Sequence, residues 1–335
     1  MTAPSARSSR PLSVVIPSYQ RVELLPPLMD EYLRQGADQV VVVLDGPHPD
    51  WQRVLGDRRD DPRVTVLELP HNVGLARARI QGLQECRGDV VVAVDDDVEP
   101  SDGFLATHRA FHEAGGDRVL LGYMPVALPR RRGADEAPTY LYARDYERQA
   151  TVWRQADSAT ILESLWGGTV SLPRDLYLRA ERMMPSERLE YNEDLDLGLR
   201  LRQLGADAVF DESALAAHHH ARNLNGFLRE CFVRGVAIAD LEGRWGTRPA
   251  QLTPLVEIPR GYSAALRTVR LSIARRETGG IAQRGIVALY RLTGAIRAFA
   301  LQDGLARVLR GALAMRGYRV ALESRKGAES PGVAR

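Results

Sequence analysis

This sequence is poor in cysteine: Cys86 and Cys231 are the only two in 335 residues. Neither a disulfide framework nor a cysteine zinc site is indicated. It also lacks an uninterrupted apolar span. The best candidate, Ile281 to Leu301, is broken by Arg284, Arg291 and Arg297, which makes crossing a bilayer too costly. Met1 to Arg10 is polar, without the apolar stretch of a signal peptide. The expected location is cytoplasmic, with peripheral contact at the inner face of the membrane as a variant. Glycine-rich phosphate loops are missing too. No Gly-x-Gly-x-x-Gly turn follows the first strand and no Walker-type loop occurs, so a dinucleotide-binding Rossmann site is poorly supported. Phosphate binding would have to rest on a metal and on arginine.

What is present suffices for one large domain or two. Hydrophobic residues make up 44% of the chain, which excludes disorder of the whole. The net charge of +2 hides an asymmetry: residues 259–335 carry 15 basic and 4 acidic side chains, a balance of +11, which leaves −9 on the rest. A basic C-terminal region on an acidic body implies an anionic partner, such as a membrane surface or a charged acceptor.

The chain is organised around Val90 to Pro100. Val90 to Val94 reads as a strand covered on both faces, and Asp95, Asp96 and Asp97 follow at once. Three adjacent carboxylates repel one another unless a cation offsets the charge. Their oxygens suit Mg²⁺ or Mn²⁺, with substrate phosphates completing the shell. Before them come strands at Leu12–Ile16, Val40–Leu44 and Arg63–Leu69, alternating with helices at Leu24–Gln35, Trp51–Leu55 and Asn72–Glu85. This order predicts an α/β fold with a parallel sheet. Residues 140–165 read as mostly helical and 206–210 as a further strand. Beyond them come helices at 225–242, 262–276, 280–299 and 305–323.

Pro17-Ser18-Tyr19-Gln20-Arg21, Asp45-Gly46, Asn72-Val73-Gly74 leading to Ala78-Arg79, and Asp95-Asp96-Asp97 stand in an order that resembles the nucleotide-sugar-binding half of family 2 glycosyltransferases. The resemblance extends over roughly Leu12 to Gly235. It implies the GT-A fold, a Rossmann-like, mostly parallel sheet flanked by helices, here with a C-terminal helical extension. Pro17, Tyr19, Arg21, Asp45, Arg79, Asp95 and Asp96 would then border the nucleotide sugar, with uracil the common base. Asp97 would bind Mn²⁺ or Mg²⁺ together with His218 or His220. Ile80 replaces the asparagine that usually follows Arg79.

Trp166, Gly167 and Gly168 resemble the segment beneath the donor sugar and beside the acceptor. Paired glycines permit close approach to the backbone, and the indole offers an apolar face to a sugar ring. Asn192-Glu193-Asp194 opens a predicted helix, with acids in its first turn, Arg200 and Arg202 late and Gly205 after it. The resemblance makes Asp194 the base that takes the acceptor proton in an inverting transfer, with Glu193 beside it. Residues 1–10 and 327–335 are expected to be disordered. The nucleotide-sugar half is expected at 11–125, the acceptor half at 126–245 with a mobile basic loop at 128–139, and the basic helical region at 246–326. The acceptor is a glycan, a lipid-linked glycan or a small natural product. Homodimerisation through the C-terminal helices is a further expectation, and no nucleic-acid partner is expected. Other readings stay open: retention on the same fold, or a non-catalytic nucleotide-sugar-binding or membrane-surface assembly protein.

Overall fold

A computed structural model describes residues 10–184, 189–258, 261, 263–275 and 280–328. Residues 1–9 and 329–335, and with them most of the expected disorder, lie outside the described residues. Residues 327 and 328, expected to be disordered, belong to the last helix.

Four strands open the chain: β1 (Leu12–Ser18), β2 (Gln39–Leu44), β3 (Val64–Glu68) and β4 (Val90–Val94). β1, β2 and β4 are buried at every position, as their continuous apolar runs require when helices cover both faces. Four more follow: β5 (Val98–Pro100), β6 (Arg118–Tyr123), β7 (Thr169–Pro173) and β8 (Asp207–His218). Together they form an eight-stranded sheet in the order β3-β2-β1-β4-β7-β6-β8-β5. β7 runs antiparallel to both β4 and β6, and β5 antiparallel to β8; the remaining pairs are parallel. The sheet is therefore mixed with a parallel majority.

From β1 the chain winds outward first to β2 and later to β4 on its other side. The carboxyl ends of β1 and β4 thus flank a topological switch point, where open α/β sheets hold ligands. The helix Leu75–Glu85 lies directly on this part of the sheet. At Gly82 a Cβ would stand 2.7 Å from a Val43 methyl and 2.8 Å from a Val15 methyl, so only glycine permits that approach.

Two compact units result, with boundaries unlike the expected division at 125 and 245. Over the described residues the first holds 10–127, 147–184 and 193–219, and the second holds 128–146, 189–192 and the residues from 220 on. The second unit is helical. Helices Leu224–Trp245 and Phe299–Ala328 meet at Gly235 and Gly317, where a Cβ would strike the carbonyl oxygens of Ala314 and Phe232. Leu141, Phe227, Ile273, Tyr290 and Leu313 lie in the core beside them. The loop expected to be mobile at 128–139 is exposed from Leu128 to Arg131. Arg132 then pairs with Asp303 and lies over the Tyr140 and Phe299 rings, at 4.7 and 4.6 Å from their centroids.

Candidate active site

The three acids after β4 have three different settings, all within the first unit. Asp96 is buried; its Oδ2 accepts from Ser18 Oγ at 2.6 Å and its Oδ1 pairs with Arg21. It therefore ties the end of β1 to the end of β4. Burial pushes its carboxyl up to about 6, against the opposing pull of Arg21 and Ser18. Asp97 turns the other way. The antiparallel register that pairs Val98 with His218 lets His219 N donate to Asp97 O at 2.8 Å. It also sets Asp97 Oδ1 3.2 Å from His218 Nε2, while Arg21 donates to Asp97 Oδ2 at 2.9 Å. Burial alone would raise the Asp97 carboxyl, but His218 and Arg21 outweigh it and hold it well below the usual range.

Asp95 faces Arg79. The Arg79 side chain is buried, pairs with Asp95 Oδ1 and donates to Gly167 O at 3.2 Å. Burial would depress its pKa, but Asp95, then Tyr177, Glu193 and Asp194, keep it above its ordinary value. Asp95 N in turn donates to Gly168 O at 3.2 Å, and Gly167 N donates to Asp194 Oδ2 at 3.0 Å. Two acidic stretches separated by about a hundred residues therefore meet across one glycine pair. A Cβ at Gly167 would lie 2.9 Å from Asp194 Cβ and 3.1 Å from an Arg79 nitrogen. One at Gly168 would lie 2.5 Å from Met124 Sδ and 3.1 Å from Asp95 Oδ2.

The helix Glu193–Gln203 presents Glu193 and Asp194 in its first turn. Its Gly198 sits against the Leu162 carbonyl with no room for a side chain. Asp196 and Arg200 pair within it at 3.1 Å, and Arg200 donates to Ala180 O at 2.7 Å. Arg200 thus ties the helix to Ala180, and Asp196 pairs with its guanidinium. Both leading acids are half-buried. Burial, then the charge of Asp194, pushes Glu193 up to about 7. Burial also raises Asp194, although the N–H groups of Gly167 and Leu195 oppose the rise.

The other expected site residues are placed as follows. Asp45 is buried at the end of β2, and its carboxylate accepts from Asn72 Nδ2 at 3.0 Å, Val73 N at 2.7 Å and Gly74 N at 2.9 Å. Those bonds explain why the expected helix from Asn72 begins only at Leu75. Pro17 is buried within β1, whereas Tyr19 is exposed. Trp166 is half-buried and meets Trp153 edge to face at 6.2 Å. Of the two histidines left open, His218 is the one beside Asp97. His220 lies in the second unit, stacked on Tyr142 at 4.0 Å. Ser18 and Met124 were missed. Ser18 stood inside the quoted motif, but nothing in the sequence pointed to Met124.

Among the described residues, no group of three or more His, Cys, Asp or Glu side chains is arranged to hold a metal by itself. The pair Asp97 and His218 nevertheless offers one oxygen and one nitrogen ligand, with Asp95 nearby in the same turn. That set fits a divalent ion that keeps waters and takes its remaining ligands from substrate phosphates, rather than a closed structural site.

The fold is that of the GT-A glycosyltransferases. A mannosyltransferase from Pyrobaculum calidifontis, solved with GDP-Man and Mn²⁺, superposes with a TM-score of 0.58 over 95% of this chain and 90% of its own, at 16% identity. Residues 13–165 match the family model described as Glycosyl transferase family 2. The pre-mycofactocin glycosyltransferase of Mycobacterium tuberculosis is 28% identical over 269 residues, 76% of this chain and 51% of that protein. An undecaprenyl-phosphate 4-deoxy-4-formamido-L-arabinose transferase of Pseudomonas fluorescens is 34% identical over 96 residues, 26% of this chain and 28% of its own length. The chain spans about half the length of the first relative and less of the second. Segment match, relatives and fold all support the family 2, GT-A class.

Proposed function

We propose that this chain is an enzyme, a metal-dependent glycosyltransferase that moves a sugar from a nucleoside diphosphate to an acceptor hydroxyl with inversion. The observation that carries the reading is the junction at Gly167 and Gly168, which joins Asp95 and Arg79 to Asp194. A donor-site carboxylate and a candidate base are joined by hydrogen bonds through this glycine pair. Pro17, Tyr19, Arg21 and Asp45 border the nucleotide in this reading, and a uridine diphosphate sugar is the favoured donor. Trp166 and Glu193 flank the sugar and acceptor. The names of the relatives make a lipid-linked acceptor one candidate class beside glycans and small natural products.

Asp194 takes the proton of the acceptor hydroxyl at a carboxylate oxygen as that hydroxyl forms its bond to the anomeric carbon. The bond from that carbon to the diphosphate breaks on the opposite face, and the diphosphate leaves with the electron pair. Arg79 holds Asp95 and the Gly167 carbonyl in position, and Arg21 places positive charge beside the leaving group. Asp97 and His218 would hold Mn²⁺ or Mg²⁺, which when bound offsets charge on the diphosphate. The raised pKa of Asp194 strengthens it as a base near neutral pH.

The test is Asp194→Asn, which preserves the shape of the side chain. Donor affinity stays within about threefold of wild type, and nucleoside diphosphate release during turnover falls by about 10² to 10⁴. A rate within tenfold of wild type would remove Asp194 from the role of base.

A further inference from the structure

The second unit packs its core inward and leaves one apolar face outward. On the helix Ile281–Ala295, Tyr290, Thr293 and Gly294 are buried, whereas Ile281, Arg284, Ala288, Leu289, Arg291, Leu292 and Ala295 are exposed. The exposed face continues through Ile296 and Arg297 to Leu301. Ile281, Leu289, Leu292, Ile296 and Leu301 each expose between 40% and 77% of their surface. Isolated exposed leucines need no explanation, but five large aliphatic side chains within 21 consecutive residues form a patch.

Within this segment of chain the charge has one sign, and the carboxylate that shares a pocket with it is Asp135, beside Arg291. Arg284, Arg291 and Arg297 interleave with the patch, and no acidic residue occurs from Gly280 to Gln302. Arg284 and Arg291 form no ion pair among the described residues, while Arg297 reaches the Arg132 carbonyl at 3.5 Å and lies 6.0 Å from the Phe299 ring centroid. These guanidinium groups are available to an outside anion.

We infer that this face docks on an anionic lipid bilayer, with the aliphatic side chains in the headgroup boundary and the arginines on lipid phosphates. An amphipathic helix lying in the plane of the interface has this composition: an apolar face flanked by basic residues. No described helix is long and apolar enough to cross a membrane, so the contact is peripheral. A second copy of the chain fits the patch less well. A twofold interface sets a patch against itself, which would bring arginine to arginine with no carboxylate from 280–302 to pair with them. The inference stands apart from the proposed transfer, because none of these residues belongs to the candidate active site.

The experiment is co-sedimentation of the full chain with phosphatidylcholine vesicles and with vesicles containing about one-third phosphatidylglycerol. Binding is expected to the anionic vesicles and not to the neutral ones, and to weaken as salt rises. Arg284→Gln with Arg291→Gln should weaken it by about fivefold per arginine. Leu289→Gln with Leu292→Gln and Ile296→Gln should abolish it, while the far-ultraviolet circular dichroism of these surface variants stays unchanged. The inference is overturned if the wild-type chain fails to bind anionic vesicles, or if the aliphatic variant binds as wild type does. It is also overturned if light scattering shows a wild-type dimer that the aliphatic variant loses, since the patch would then be an interface between copies.

Discussion

Arg79→Met tests whether the site around Gly167 is held together as described. Methionine keeps the unbranched stem and its helix propensity but removes the guanidinium. Asp95 then loses its buried partner, and the Gly167 carbonyl loses a donor. Removing one side of a buried pair costs about 3 to 5 kcal/mol, because the remaining charge stays desolvated. Asp95 is partly open to water, which places the expected loss near the lower end, about 3 kcal/mol. Urea denaturation followed through Trp51, Trp153 and Trp166, all in the first unit, measures it. Arg79→Lys should recover only part of the loss, since one guanidinium nitrogen serves both Asp95 and Gly167 and the ammonium sits on a stem one bond shorter. Arg79 also opposes the rise in the Glu193 and Asp194 pKa values. Its removal should therefore move the acid limb of the rate profile to higher pH. A change below about 0.5 kcal/mol, with an unmoved acid limb, would refute the reasoning.

Two further substitutions probe the helix that carries the proposed base. Gly198→Ala should cost about 1 to 3 kcal/mol by overpacking against the Leu162 carbonyl, and should lower turnover with stability because the helix must shift; unchanged melting would contradict this. Glu193→Gln removes an acid raised from 4.5 to about 7. The folded wild type holds that proton more tightly than the unfolded chain, so its stability falls as pH climbs from about 4.5 to about 7 and is level above. The variant lacks this loss and should gain on wild type across that window, by on the order of 1 to 3 kcal/mol. A difference between the two proteins that does not change with pH would contradict it.

The sheet was legible where it is most deeply buried, since valine runs such as Val40–Val43 and Val90–Val92 have no other comfortable environment. β5, β6 and β7 were not read as strands. β5 is three residues long, and β7 mixes Thr169 and Ser171 with apolar residues and follows two glycines. The break between the helices Ile281–Ala295 and Phe299–Ala328 was expected, but a few residues later, between 299 and 305. Arg297 takes a φ of +60° there, a conformation that glycine or asparagine would have announced. In the site, local motifs marked Asp95 to Asp97 and Asp194 as separate acidic clusters. That Arg79 and a glycine pair join them is a consequence of sheet order, which no local pattern encodes. The resemblance to a known family supplied the roles, whereas the side-chain partners came only with the fold.

The central claim is that Asp95 to Asp97 form a metal-assisted donor site. Its most direct test is a thermal-shift titration of wild type and Asp97→Ala with UDP, GDP and dTDP and their sugars, with and without Mn²⁺. A ligand at a hundred times its Kd stabilises the folded chain by about 2.7 kcal/mol. One nucleotide family should raise the wild-type melting temperature far more with Mn²⁺ than without it, and Asp97→Ala should lose the metal-dependent part. No response to any nucleotide, or a response that neither Mn²⁺ nor Asp97→Ala alters, would contradict the claim.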